Sequence, residues 1–425
     1  MSAELALELS GEAMKPTVLD PVFVHASARG GSTYFFDVLR RNPSFLCFSS
    51  AIIDGKKDIA RTYPPPKPII RRKIFDANHQ FLERPDYYEF IEAWDAVMHL
   101  CPDFPTFQDY LPANGVLSPD IRDFIAALIK HARAKNRRPI LCETNSRGRA
   151  GALRDAFGGF HIAQYRDPLS QFGSFIRALI EGGFWGFLSH PATELGVCGT
   201  HPLYAVVPPV WRVPNLPWVA GTRAQRWASD AQYIALTGSP ERDTIEKLFR
   251  WHLFSWVLTN LAAVAYSDLA VDMDRIHDDA AYRRSIIDEL AAVGIAVDFK
   301  DLRKFDRYYQ FESFEPATVC DQVVLTIKNA MRDGSLDRAV RMLAKQPLVS
   351  PTATVVESLL AKMTKSLASM ATSSDRRFIT AVEWKAVVTK HRKIWFNPSM
   401  RRLSQRIYPF AAPIVHVGRR AGLWT

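Results

Sequence analysis

The sequence predicts an α/β fold in which helices flank a central parallel sheet and a helical, basic extension follows. Three observations predict it. Short apolar runs rich in β-formers alternate with helical stretches, the pattern of a parallel sheet covered on both faces. Where such a run hands over to a helix, the residues are those that turn or cap a chain, Gly-Gly at 30–31 and Asp-Pro at 167–168. The positive charge is concentrated at one end. From Arg376 to Thr425, eleven Lys and Arg stand against one acidic residue, Glu383, which accounts for the whole formal charge of +10.

The elements follow in order. Residues 1–20 read as a leader. The run PVFVHAS (21–27) reads as a buried strand, followed by a Gly-Gly turn and a helix from Ser32 to about Arg41. A second strand is expected near 45–48. Residues 49–115, with Pro64-Pro65-Pro66, show no clear periodicity. Ser118-Pro119-Asp120 starts a helix, with Ser118 as its cap, and Ile121, Phe124, Ile125, Leu128 and Ile129 recur at helical spacing. PILC (139–142) is a strand, 148–157 a helix, 160–165 a strand, and Asp167-Pro168 opens a helix to about Glu181. The Trp- and Pro-rich stretch 182–220 breaks the alternation and reads as a long loop. A long apolar helix is expected over 243–266, a last strand near 269–273 and a helix over 279–292. The main α/β domain is assigned to 21–345 and the extension to 346–425.

Composition narrows the class. An apolar content of 48% with 23% charged residues excludes a mainly disordered chain. No apolar stretch approaches the roughly 18 residues that span a membrane. No secretory signal opens the chain. Five scattered cysteines without a CxxC pair, apart from the eleven histidines, fit free thiols in a reducing compartment. A cytoplasmic location and no metal are therefore expected. Outside the tail the charges balance, so no nucleic-acid partner is expected.

Two constellations carry chemistry. In the first, a strand leads through Arg29-Gly30-Gly31-Ser32-Thr33 into a helix. Glycines let backbone N–H groups converge, the helix N-terminus adds its positive end, and Arg29, Ser32 and Thr33 add donors, all suited to an anion. The loop is not a Walker A sequence. In the second, a strand ends at Arg166, Asp167-Pro168 starts a helix, and Ser174 lies eight residues on, where Arg166 and Ser174 are expected to share one phosphate. Read alone, either fits an ordinary strand-to-helix connection. Together, 137 residues apart and each following a strand, they place two anion-binding elements at the carboxyl ends of parallel strands.

At these residues the chain resembles the sulfotransferase superfamily, whose donor is 3′-phosphoadenosine 5′-phosphosulfate (PAPS). Ala28-Arg29-Gly30-Gly31-Ser32-Thr33 is similar to the bacterial Pro-Arg-Ser-Gly-Ser/Thr-Thr element, with Ala for Pro and Gly30 for Ser. Arg166 to Ser174 is similar to the 3′-phosphate element. The resemblance implies a P-loop NTPase-like sheet, PAPS as co-substrate, and nucleotide contacts from Arg29, Gly30, Gly31, Ser32, Thr33, Arg166 and Ser174. Tyr34 stands where members stack an aromatic on adenine, although core packing suits it equally. Arg29 would also act catalytically on the leaving phosphate. Residues 300–307 are a candidate third contact.

The general base departs from the family. Ser50 and Asn145 occupy the positions of its Glu and His. Glu143 is the nearest candidate, with a salt bridge or a cap near Arg147 or Arg149 as the competing role, and Asp54 is second. His25 reads as a packed histidine. Trp185, Trp211 and Trp218 are candidates to stack on sugar rings, so a carbohydrate or glycolipid acceptor is expected. The tail mixes charge with aromatics such as Trp384 and Trp395, fitting either a solvated face or peripheral contact with an anionic inner-membrane surface. The alternative functions are a P-loop-type kinase and a nucleotide-binding protein without catalysis.

Overall fold

The computed structural model describes residues 20–53, 88–102, 106–182, 185–214, 243–300, 302 and 308–395. Its centre is a five-stranded sheet of β1 (Val22–His25), β2 (Phe45–Ser49), β3 (Arg138–Glu143), β4 (Phe160–Tyr165) and β5 (Leu269–Asp272). The order is β2-β3-β1-β4-β5 and every pairing is parallel. Alternation along the strands sends side chains to opposite faces. Phe23, Leu46, Phe48 and Leu141 join one apolar layer, closed by helix α2 (Pro119–Ala134) through Ile121, Phe124, Ile125 and Leu128. Val22, Val24, Cys47, Ile140 and Ile162 join the other, closed by α1 (Ser32–Arg40) through Phe35, Phe36, Val38 and Leu39.

The order places β1 and β4 side by side while their helical connections depart in opposite directions, β1 towards β2 and β4 towards β5. Such a switch point leaves a crevice beyond the carboxyl ends of the two strands. Both constellations lie there.

A third and larger apolar cluster lies beside β4. It joins α3 (Ala150–Phe157), α4 (Pro168–Gly182), α5 (Gly186–Val197), α6 (Thr244–Ala265), α9 (Pro316–Arg332) and α10 (Thr352–Thr372). Between α6 and α9 come α7 (Met273–Asp278) and α8 (Ala280–Ala292). The expected boundary at 345 does not separate a unit. Val355, Leu359 and Met363 of α10 are buried in the same cluster as α6. A second parallel pair, β6 (Tyr308–Phe311) with β7 (Arg376–Ile379), also binds the extension to the preceding chain. Helix α11 (Ala381–Trp395) docks through Trp384 and Val388.

Other expectations change. The 182–220 stretch is not one long loop, since α5 and a short helix at Pro202–Ala205 occupy it. Trp185 is fully buried and meets Trp384 edge-on, so neither is available to a sugar or a membrane. Arg250 covers the Trp211 ring, its guanidinium carbon 4.8 Å from the centroid. Ser118 precedes its helix without a side-chain cap and accepts from Gln108 instead. Asp54, Trp218, the leader before Asp20, most of 301–307 and the tail beyond Trp395 lie outside the described residues. Among the described residues no helix is long and apolar enough to cross a membrane.

Buried histidines tie strands together and imply an acid limit. His161 Nε2 faces the Gly158 carbonyl at 2.9 Å, which can only accept, so Nε2 carries the proton. His161 Nδ1 then accepts from His25 Nε2 at 2.9 Å, and His25 Nδ1 accepts from Ser146 at 2.7 Å. His25 is thus packed in the sheet. Burial, then the His161 charge, hold His25 well below its ordinary value. Burial holds His161 and His252 at about 4. The unfolded chain protonates all three near 6.5, so their stabilisation is complete above that pH and is lost as pH falls towards about 4. Asp167, pushed up to about 6 by burial and by Asp274, acts in the opposite sense with one proton. Each histidine contributes a slope of about 1.4 kcal/mol per pH unit inside that window. The urea midpoint should therefore fall between pH 7 and pH 5, and fall less in His161→Gln. Equal slopes in the two proteins would contradict this.

Candidate functional site

The crevice is built from the loop after β1. Ser27 to Gly31 turns tightly, with Gly30 N donating to Ser27 O at 3.0 Å. A Cβ at Gly30 would come within 2.8 Å of Ser27 Oγ, and Gly31 enters α1 at φ 89°, so both positions require glycine. Two glutamines hold the loop from behind. Gln164 of β4 donates to the Gly30 carbonyl at 3.0 Å, and Gln171 of α4 donates to Ser27 Oγ at 2.7 Å and the Ala28 carbonyl at 2.6 Å. Helix α1 has no side-chain cap and no acidic residue in its first turn. The N–H groups of Ser32 and Thr33 lie ahead of the first i→i−4 bond of the helix, Phe35 N to Gly31 O at 3.1 Å. Their end of the helix dipole favours an anion.

Arg29 stands in the left-handed region at φ 60°, part of its surface open to solvent and part enclosed by the crevice walls. Its Nε donates to Ser174 Oγ at 3.0 Å, joining the two constellations across the switch point. Its guanidinium carbon lies 5.6 Å from the Phe187 ring centroid. Desolvation by the surrounding walls, then Arg177 and Arg166, lower the affinity of Arg29 for its proton, with Glu181 opposing. Like charges are crowded where an anion would relieve them.

Arg166 takes another position than expected. It donates to Ser170 Oγ at 2.6 Å and reaches the Arg29 carbonyl at 3.5 Å, and Ser174 is held by Arg29 rather than by Arg166. Behind it, Asp274 lies 3.8 Å from Arg166 Nε and accepts from Asp167 N at 2.5 Å. Asp167 caps α4 through Ser170 N at 2.7 Å and accepts from Ser366 at 2.6 Å. Lys362 donates to Asp272 at 2.7 Å and 2.8 Å and to Asp274 at 2.8 Å. Helix α10, in the extension, thus supplies two side chains that fix the Arg166 strand end.

Tyr34 packs on the α1 layer with its ring 6.4 Å from Phe299. Glu143 is a correction. It is 1% exposed, and its two oxygens accept from Ala51 N at 2.7 Å and Ile52 N at 3.0 Å. It anchors the turn after β2 and cannot meet an acceptor hydroxyl in this fold. Arg147 instead lies 3.7 Å from Glu194, and Arg149 binds the Thr106, Gln108 and Asn145 carbonyls. Asn145 is buried and donates to Thr144 at 3.4 Å, while Ser50 shares a hydrogen bond with Thr144 at 3.1 Å.

Gln164, Gln171, Lys362 and Ser366 are the residues that sequence reasoning missed. Gln164 carries a faint signal, since it shares a strand face with Arg166 by alternation. Among the described residues no cluster of His, Cys, Asp and Glu has the arrangement of a metal site. Comparison with family models, curated proteins and solved structures yields no match.

Proposed function

We propose that this chain is a PAPS-dependent sulfotransferase on a P-loop NTPase-like α/β fold, acting on a hydroxyl of a carbohydrate or glycolipid. One observation carries the reading. The Arg29–Ser174 hydrogen bond at the switch point joins the two elements that resemble the family's phosphate contacts. The chain's own donors fit a bis-phosphorylated nucleotide: the N-terminal end of α1, the Ser32 and Thr33 hydroxyls, and crowded arginines.

PAPS supplies an activated sulfuryl group and a phosphate leaving group. The α1 N-terminus, Gly30, Gly31, Ser32 and Thr33 hold the 5′-phosphate end. Arg29 places its charge where negative charge builds as the leaving bond breaks, and this fixed positioning does most of the catalysis. Arg166, steadied by Asp274, faces the second phosphate with Ser174 close by. Tyr34 borders the expected adenine position. A cytoplasmic location with peripheral contact at the inner membrane surface through the basic tail belongs to the same reading.

Turnover separates an enzyme from a nucleotide-holding scaffold. Sulfur-labelled PAPS incubated with the full chain and a panel of glycans and glycolipids should pass label to an acceptor. Tight nucleotide binding with no label in any acceptor, and none released as sulfate, would sink the enzymatic reading.

A further inference from the structure

Three successive carbonyls of the loop after β1 are taken up by the second constellation. Gln171 of α4 donates to the Ala28 carbonyl at 2.6 Å, Arg166 reaches the Arg29 carbonyl at 3.5 Å, and Gln164 of β4 donates to the Gly30 carbonyl at 3.0 Å. A carbonyl only accepts, so each glutamine faces the loop with its NH2 group. Gln171 gives its other N–H to Ser27 Oγ at 2.7 Å. A planar trans peptide sets its C=O and N–H on opposite sides. Fixing the Ala28 and Gly30 carbonyls on the glutamines therefore turns the N–H groups of Arg29 and Gly31 the other way. Gly30 N, between them, donates within the turn to Ser27 O at 3.0 Å. Arg29 at φ 60° and Gly31 at φ 89° both stand in the left-handed region, the backbone that curves a short loop into a concave nest of N–H groups.

The glutamines hold this arrangement at a cost. Each is 1% exposed, and among the described residues Gln164 Oε1 and Gln171 Oε1 are buried with no hydrogen-bond partner. A buried amide oxygen without a donor is unfavourable, and an apolar side chain of similar size would avoid it. The same defect in two glutamines under one loop points to a task that their N–H groups perform. Both also sit beside the residues expected at the 3′-phosphate. Gln164 lies two residues before Arg166, and Gln171 lies one turn before Ser174, whose Oγ accepts from Arg29 Nε at 3.0 Å.

Resting on the sulfotransferase reading, we propose that Gln164 and Gln171 are positioning residues for the 5′-phosphate, locking the Ala28–Arg29 and Gly30–Gly31 peptides with their N–H groups towards it. The element that faces the 3′-phosphate thus shapes the loop that holds the 5′-phosphate. Without its glutamine donor, a peptide is free to turn over, and a carbonyl then meets the phosphate oxygens in place of an N–H. The loss falls on the 5′-phosphate and leaves the Arg166 and Ser174 contacts in place.

Calorimetric titration of the full chain with adenosine 3′,5′-bisphosphate (PAP) and with adenosine 3′-monophosphate tests this. The ratio of the two Kd values isolates what the 5′-phosphate adds. Methionine keeps the length of glutamine and removes its donors. In Gln164→Met and in Gln171→Met, the preference for PAP should fall about 10- to 150-fold, the worth of one hydrogen bond to a charged group. The Kd for adenosine 3′-monophosphate should stay at the wild-type value, which also shows that the crevice is folded. A merely structural role would weaken both ligands alike. Equal loss of both, or an unchanged ratio, overturns the assignment of that glutamine, while PAP binding by the wild type leaves the sulfotransferase reading standing. A wild type that binds PAP no better than adenosine 3′-monophosphate has no 5′-phosphate site, and the reading falls together with the assignment.

Discussion

Replacing Arg29 by alanine should cost nucleotide affinity and turnover together. The guanidinium joins the loop after β1 to Ser174 and sits among Arg166 and Arg177. Losing one charge-assisted hydrogen bond costs about 1.5–3 kcal/mol, or roughly 10- to 150-fold in the Kd for PAP. A donor aimed at developing charge contributes more in the transition state, so kcat should fall a further 10²- to 10³-fold or so. Ser174→Ala should cost less, because it removes one neutral partner and leaves the charge in place. Calorimetry and release of PAP from PAPS measure both quantities. An Arg29→Ala protein with wild-type affinity and rate would contradict the assignment of the crevice.

The second large effect is on stability. Lys362 lies between Asp272 and Asp274, whose side chains are 6% and 10% exposed. Burial opposes its charge, but Asp274 and then Asp272 hold the ammonium above its ordinary range. Lys362→Met removes the cation and leaves two carboxylates enclosed. Breaking a buried pair from one side costs about 3–5 kcal/mol. The guanidinium chloride midpoint should fall accordingly with an unchanged slope, and Lys362→Met with Asp272→Asn should recover part of the loss. A wild-type midpoint in the single variant would show that the network is not structural. Asp274 would also draw harder on Arg166, so PAP affinity should weaken in the same protein.

The sequence made local handovers legible. Arg29-Gly30-Gly31 and Arg166-Asp167-Pro168 each mark a strand giving way to a helix, and each lies within a dozen residues of its own strand. That the two meet depends on β1 pairing with β4, which the order of strands decides. Contacts from distant chain were not legible. Ser366 bonds to Asp167 from 199 residues away, and no local pattern announces it. Glu143 was misread because strand alternation gives the face of a side chain but not what covers it. The turn after β2, with Ser50 at φ 49°, brings two backbone donors onto its carboxylate. Trp185 was read as part of an exposed covering loop because its surroundings are rich in Gly and Pro. It packs in the large helical cluster and meets Trp384, in the stretch read as either a solvated face or a membrane-contacting tail.

The central claim is that the crevice takes a nucleotide phosphorylated at both 3′ and 5′ positions. Calorimetric titration of the full chain with PAP beside ATP, on wild type and Arg166→Ala, tests it most directly. Tight binding of PAP over ATP, lost or greatly weakened in Arg166→Ala, is the expected result. No binding of PAP, a preference for ATP, or an Arg166→Ala protein that binds PAP like the wild type would contradict it.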